Sequence, residues 1–315
     1  MKLNRVDPEL RSTVARIPSL PIGRKWGRRV VRALVRRRGP GKPIDGVDVR
    51  TLNQGQGLRL YTPAGGGSGA ALLWMHGGGY IIGDICQDDT FCSATAHELG
   101  IVVVSAEYRL APEHPFPAAL DDAFAAWQWL QQSAGSLGVS ADRIAVGGSS
   151  AGAGLAACLA QRIHDAGGTQ PAGQWLFSPM LDDRTAARHE LDQLRHRVWS
   201  NSANRIGWGA YLGVDVSGPR RPDYSVAARR ADLRGLPPTW ISVGDIDLFA
   251  DECREYAERM RTAGVDCSLD LVPGAPHGFE AWAPETSIAL GLLARSRSWL
   301  GARLTGSISS LRGEG

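Results

Sequence analysis

Gly148-Ser149-Ser150-Ala151-Gly152 fits the pattern G-x-S-x-G with Ser150 at its centre. Moving the frame back one residue puts Ala151 where the second glycine belongs, so Ser149 does not fit. A serine held this way attacks a carbonyl carbon once a base takes its proton. The pattern has that meaning only between a strand and a helix, where a sharp turn lifts the hydroxyl clear of the backbone. Arg143–Gly147 reads as the strand, and the small apolar stretch from Ala151 as the helix. A helix-capping serine in a tight turn would look the same over five residues, so the rest of the chain must separate the two.

His76-Gly77-Gly78-Gly79-Tyr80 follows the apolar run Ala70–Met75. Three glycines after a strand let backbone N–H groups converge on a ligand oxygen, as an oxyanion site requires. Neither G-x-x-x-x-G-K-[ST] nor G-x-G-x-x-G is matched here, which argues against a phosphate loop. In the chain order of strand-turn-helix serine hydrolases, serine comes first, the acid second and histidine last. His76 comes too early for the base and is expected to be structural. Val243–Leu248 ends an apolar run and offers Asp245 and Asp247, and spacing leaves both open as the acid. His277 lies in Pro273–Phe279, a run of turn residues after another apolar stretch. Such a set performs acyl transfer: histidine deprotonates serine, the carboxylate orients the imidazole, and backbone N–H groups stabilise the oxyanion. It needs no metal and no cofactor. His97, His114, His164, His189 and His196 lack a comparable setting and are assigned no role. His189 and His196 are seven residues apart and no H-E-x-x-H occurs, so no zinc site is expected.

These groups need a scaffold that brings distant segments together. Val47–Leu52 and Leu58–Tyr61 read as strands around Asn53-Gln54-Gly55, with a glycine-rich turn over Pro63–Gly69. Ala70–Met75, Ile101–Ala106, Arg143–Gly147, Trp175–Phe177, Thr239–Val243 and Ser268–Val272 read as further strands. Helical patterns cover Asp121–Gln132, Ala151–Ala166, Glu252–Ala263 and Thr286–Leu300. The alternation implies an α/β fold, a mostly parallel doubly wound sheet flanked by helices. Ligands bind such sheets at the carboxyl ends of the strands. Asp183–Ser217, with Trp199, Trp208 and Tyr211, breaks the rhythm and reads as a helical insertion over one end of the sheet.

The chain has 315 residues, 43% hydrophobic and 21% charged, which is enough for a packed core and excludes a disordered chain. Five cysteines without a C-x-x-C fit a reducing compartment, and the cytoplasm is expected. No run of 18 apolar residues and no apolar leader core in Met1–Gly39 is present, so neither a spanning helix nor secretion is expected. The net charge of +3 is uneven: residues 1–42 hold 13 Lys and Arg against Asp7 and Glu9, a net +11, leaving −8 for the remainder. An acidic body argues against nucleic acid as a partner. Arg24–Arg38 reads as a helix with Trp26, Val30 and Leu34 four residues apart beside Val31 and Val35, and arginines on the other face. It is expected to pack its apolar stripe on the body, so membrane contact is not expected, although an arginine-rich arm could touch anionic lipid. Thr305–Gly315 reads as a frayed tail.

Taken together, these residues resemble the hormone-sensitive-lipase-like carboxylesterases, including the bacterial family IV esterases, of the α/β-hydrolase fold. The likeness runs from about Asp45 to Leu300. It rests on His76–Gly79, on the long segment Tyr108-Arg109-Leu110-Ala111-Pro112-Glu113-His114-Pro115-Phe116-Pro117-Ala118-Ala119, on Leu236-Pro237-Pro238, on the Asp247, Asp251, Glu252 run and on His277-Gly278-Phe279. The resemblance implies Asp247 as the acid of a Ser150–Asp247–His277 triad, and the N–H groups of Gly78, Gly79 and Ala151 as the oxyanion hole. It implies a cap made from arm 1–45 and insertion 183–217 over a core of 46–182 and 218–304, with a tail at 305–315. Tyr80, Trp208 and Tyr211 are the aromatic candidates for the substrate pocket. Ser149 and Ala153 depart from the residues common in the family, and Ser149 puts in doubt hydrogen bonds an aspartate there would make to the Tyr108–Pro117 loop. The implied function is a serine carboxylesterase acting on short- to medium-chain acyl esters, with a small-molecule ester as partner and a homodimer allowed. An amidase or formamidase would use the same triad. A ligand-binding receptor of this fold, such as the plant gibberellin receptors, resembles the family without an intact base, whereas His277 is present here.

Overall fold

The computed structural model describes residues 2–18, 22–37, 39–52, 57–214, 218 and 220–305. The expected turn at Asn53–Gly55, the end of the insertion at 215–217 and positions 306–315 of the expected tail lie outside the described residues. Thr305, placed in that tail, ends a helix instead.

Eight strands among the described residues form one sheet: β1 (Val47–Leu52), β2 (Leu58–Pro63), β3 (Ala71–Met75), β4 (Val102–Ala106), β5 (Ile144–Ser149), β6 (Gln174–Phe177), β7 (Thr239–Gly244) and β8 (Cys267–Val272). Their order is β1-β2-β4-β3-β5-β6-β7-β8. β2 is antiparallel to β1 and β4, and β4, β3 and β5 to β8 are parallel. The chain order reverses at β3, with β4 on one side and β5 on the other, which opens a crevice at the carboxyl ends of β3 and β5. β3 and β4 are buried on both faces, which is why they read as continuous apolar runs instead of alternating ones.

The helices are α1 (Pro8–Arg16), α2 (Lys25–Arg37), α3 (Asp89–Leu99), α4 (Ala118–Ser133), α5 (Ala151–Ala166), α6 (Arg184–Ala187), α7 (Asn201–Leu212), α8 (Ala250–Thr262), α9 (Phe279–Trp282) and α10 (Ser287–Thr305). One core joins Leu73, Met75, Val104 and Val146 to α4, α5 and α8. The other joins Leu72, Trp74, Val103 and Trp175 to α1, α3 and α10. α5 is built of alanine and glycine because it runs tight against the strand ends: a Cβ on Gly152 would overlap the Met75 carbonyl oxygen, and one on Gly154 the Met180 carbonyl oxygen.

α1 and α3 are not anticipated by the sequence reading. α1 carries a local signal, since the Asp7 side chain caps it by accepting from Glu9 N–H and Pro8 opens its first turn. α2 corrects an expectation. Gly27 and Val31 are buried and Val35 is packed on the core, but Trp26, Val30 and Leu34 stand 56%, 47% and 56% exposed. The apolar arc is wider than the surface available to it, so only one half of it packs. Among the described residues no helix is long and apolar enough to cross a membrane.

Candidate active site

Ser150 sits between β5 and α5 at φ 55°, ψ −116°, a conformation non-glycine residues avoid. It is over-determined by its neighbours: Ser150 N–H donates to the Phe177 carbonyl at 2.8 Å, and Met180 N–H donates to the Ser150 carbonyl at 3.0 Å. Gly148 and Gly152 make the turn possible, because a Cβ on Gly148 would lie 2.5 Å from the Gly152 carbonyl group.

His277 Nε2 lies 2.9 Å from Ser150 Oγ, and His277 Nδ1 lies 2.9 Å from Asp247 Oδ2. An ionised carboxylate only accepts, so Nδ1 carries the proton and Nε2 is free to accept from the serine hydroxyl. Asp247 Oδ1 accepts from Phe249 N–H at 3.0 Å, which fixes the carboxylate, and the Phe249 ring stands edge-on to the imidazole. All three side chains are buried. Burial is the largest influence on His277 and favours its neutral form, yet the charge and hydrogen bond of Asp247 outweigh it and raise the pKa above 6.5. Burial also holds the Glu280 carboxyl up at about 7, and its charge acts on the same imidazole.

Asp245 is separated from Asp247 by what it binds. Its Oδ1 accepts from Gly274 N–H at 2.7 Å, so it braces the turn that leads into His277 and does not reach the ring. The other side of that turn is held by the N-terminal arm, where Asp7 N–H donates to the Gly274 carbonyl at 2.9 Å.

The Gly77–Gly79 loop faces Ser150 from the end of β3. Gly78 at φ 125° and Gly79 at φ 60° need glycine twice over: a Cβ on Gly78 would overlap Ile82 O, and one on Gly79 the indole of Trp199. Among the described residues the N–H groups of Gly78 and Gly79 donate to no backbone acceptor, and Ala151 N–H, the first of α5, has no intrahelical one. His76 is fully buried beneath the loop, stacked on Tyr108 at 4.3 Å, with its own carbonyl held by Tyr108 Oη at 2.8 Å. Burial lowers its pKa to about 4, so it is a neutral prop. The Tyr108–Pro117 segment supports this loop further through Ala111 N–H, which donates to the Tyr80 carbonyl.

A cavity of about 900 Å³ opens over Ser150 and His277. Ile17, Pro18, Ile22 and Gly23 of the N-terminal arm form one wall, and His196, Trp199 and Ile206 of the insertion form another. A second hollow of about 500 Å³ lies away from the triad; Arg184 there pairs with Asp182, and Arg221 and Arg229 pair with Asp183. Among the described residues no three His, Cys, Asp or Glu converge as metal ligands would.

Residues 72–281 match a family described as alpha/beta hydrolase fold (Abhydrolase_3). The carboxylic ester hydrolase LipN of Mycobacterium tuberculosis is 37% identical over 228 residues, 70% of this chain and 60% of LipN, so the match spans less than two thirds of that relative. This protein belongs to the hormone-sensitive-lipase-like carboxylesterases of the α/β-hydrolase family. An ethyl acetate hydrolase of Pseudomonas putida is 34% identical over 70% of each chain. The solved structure of a bacterial heroin esterase superposes with a TM-score of 0.88 at 35% identity, covering 96% of this chain and 99% of that one.

Within this α/β-hydrolase, three sequence expectations about the pocket are corrected. Tyr80, Trp208 and Tyr211 do not line the cavity. Each is at most 1% exposed, and Tyr80 stacks on Tyr211 at 3.9 Å in the packing beneath α7. The aromatics that do line it are Trp199, wedged between Gly79 and Gly207, and Trp282, whose Nε1–H donates to the His277 carbonyl at 3.0 Å. His196, assigned no role, stands in the cavity wall, and burial lowers its pKa. The Asp-Glu of the acid region also has a function of its own: the buried Glu252 carboxyl accepts from Leu181 N–H at 2.7 Å, Asp182 N–H at 3.2 Å and the Thr185 hydroxyl, tying the start of the insertion to α8.

Proposed function

We propose that this protein is a serine carboxylesterase that hydrolyses short- to medium-chain acyl esters through an acyl-enzyme intermediate. The observation that carries the reading is the unbroken hydrogen-bond chain Ser150–His277–Asp247 beside the N–H groups of Gly78 and Gly79, which donate to no backbone acceptor among the described residues. Ser150 Oγ attacks the ester carbonyl carbon as His277 Nε2 takes its proton. Charge gathers on the carbonyl oxygen and is stabilised by the N–H groups of Gly78, Gly79 and Ala151. His277 then protonates the leaving alcohol, the C–O bond breaks, and the acyl group remains on Ser150. Water repeats the sequence with His277 as base and releases the acid. Asp247 keeps the proton on Nδ1 and stabilises the imidazolium.

The arm 1–45 and the insertion 183–217 act as a cap over a core of 46–182 and 218–304, a reading supported by the two cavity walls they supply. The acyl preference is supported by Trp199, whose nearly buried indole crowds the oxyanion loop, and by the acetate ester in the name of the Pseudomonas relative. A cytoplasmic site is supported by five free cysteines, four of them buried. The test is hydrolysis of p-nitrophenyl esters from acetate to palmitate by wild type, Ser150→Ala and Ser149→Ala. The expected result is an optimum at short to medium chains, lost by about six orders of magnitude in Ser150→Ala and largely kept in Ser149→Ala. No turnover of any ester by folded wild type, with turnover of amides, would move the assignment to an amidase.

A further inference from the structure

We propose that the outward face of α2 docks this protein on bilayers rich in anionic phospholipid. At 100° per residue, Trp26, Val30, Ala33 and Leu34 share one side of the helix, next to the packed side formed by Gly27, Val31 and Val35. Trp26 is the one tryptophan among the exposed large apolar side chains of the described residues. Lys25, Arg29 and Arg36 run along the outer edge of this face, and Arg37 closes its C-terminal end. Lys25, Arg29, Arg36 and Arg37 are exposed, the helix contains no acid, and no ion pair among the described residues takes up any of the four. A helix about 20 Å long cannot span a bilayer, but an apolar stripe with a basic outer edge and an indole suits the interfacial plane.

Two features make the face a fixed platform. Arg32 donates to the carbonyls of Ile81 and Ala111 and pairs with Glu113, which clamps the inner side of α2 to the body, and Arg28 donates to Ile22 O, which fixes the turn leading into the helix. Ile22 and Gly23 line the cavity over Ser150, and Trp26 follows within one helical turn, so docking sets the cavity wall next to the lipid surface. The charge pattern selects the occupant. Two α2 faces meeting each other would bring eight unpaired cations together with no acid on either helix, whereas phosphate headgroups complement them. The inference stands on α2 alone and does not depend on the substrate.

The experiment is vesicle co-sedimentation of the full chain with phosphatidylcholine alone and with phosphatidylcholine containing phosphatidylglycerol. The expected result is binding only to the anionic vesicles, weakening with added salt. The combined variant Trp26→Ser, Val30→Ser, Leu34→Ser should bind at least tenfold less, as should Arg29→Gln, Arg36→Gln, Arg37→Gln, while both keep wild-type circular dichroism and wild-type hydrolysis of a soluble p-nitrophenyl ester. Equal sedimentation with neutral vesicles, no sedimentation at all, or unchanged binding by the serine variant would overturn the proposal. A concentration-dependent dimer that the serine variant abolishes, with no vesicle binding, would assign the face to a second copy instead.

Discussion

Replacing Trp199 by alanine should change which acyl chains this hydrolase prefers. The indole is 7% exposed and sits against Gly79, with its Cζ2 3.4 Å from where a Cβ on Gly207 would be. Its removal opens apolar space directly beside the oxyanion loop. Each acyl methylene that gains burial contributes about 0.8 kcal/mol, roughly fourfold in kcat/KM. For about two to three acyl methylenes gaining burial there, the octanoate-to-acetate ratio of kcat/KM should rise about 15- to 60-fold. Truncating a buried tryptophan costs about 3–5 kcal/mol of stability, so Tm is measured alongside. Because the ratio is internal to one variant, a lower folded fraction cancels from it, and Trp199→Leu gives an intermediate case with a smaller cavity. An unchanged ratio in folded protein would refute the placement of the acyl chain beside Trp199.

The two aspartates near His277 should separate cleanly in kinetics. Asp247→Asn is expected to lower kcat by about four orders of magnitude, since the amide favours the wrong imidazole tautomer. Asp245→Ala loses the bond to Gly274 N–H and should cost about 1.5–3 kcal/mol in urea unfolding with a far smaller drop in kcat. The pH profile follows from the sign of the His277 shift. The base must be neutral, and Asp247 raises its pKa, so kcat/KM should fall as pH drops through an acid limb lying above 6.5. In Asp247→Asn the attraction is gone and the limb, measured on the residual activity, should move down.

Local patterns carried much of this molecule. The strands announce themselves because both faces of β3 and β4 are buried, and Ser150 is legible because close contact with Met75 and with the Gly148–Gly152 turn admits nothing larger than glycine at the two flanking positions. Asp245 and Asp247 are not separable by spacing. One of them reaches the imidazole and the other a backbone N–H, which is a matter of side-chain direction in a single turn. Trp208 and Tyr211 lie outside the pocket for a physical reason. Asn204, Gly207, Trp208 and Tyr211 recur at helical spacing and form the buried stripe of α7, whereas Trp199 precedes its cap, Ser200, and is free to point at the cavity. In α2 the periodicity defines the width of the apolar arc but not how much body lies beneath it. α3 has little contrast between its faces, so nothing in its pattern marked it as a helix.

The most direct test of the account is covalent labelling of the nucleophile. Incubation with diethyl p-nitrophenyl phosphate, followed by intact-mass and peptide mass spectrometry, should yield a single diethylphosphoryl group on Ser150, with release of p-nitrophenol in equal amount. His277→Ala should abolish the labelling. An adduct on Ser149, or a folded and unlabelled wild-type protein, would contradict the assignment of Ser150 as the group that His277 activates.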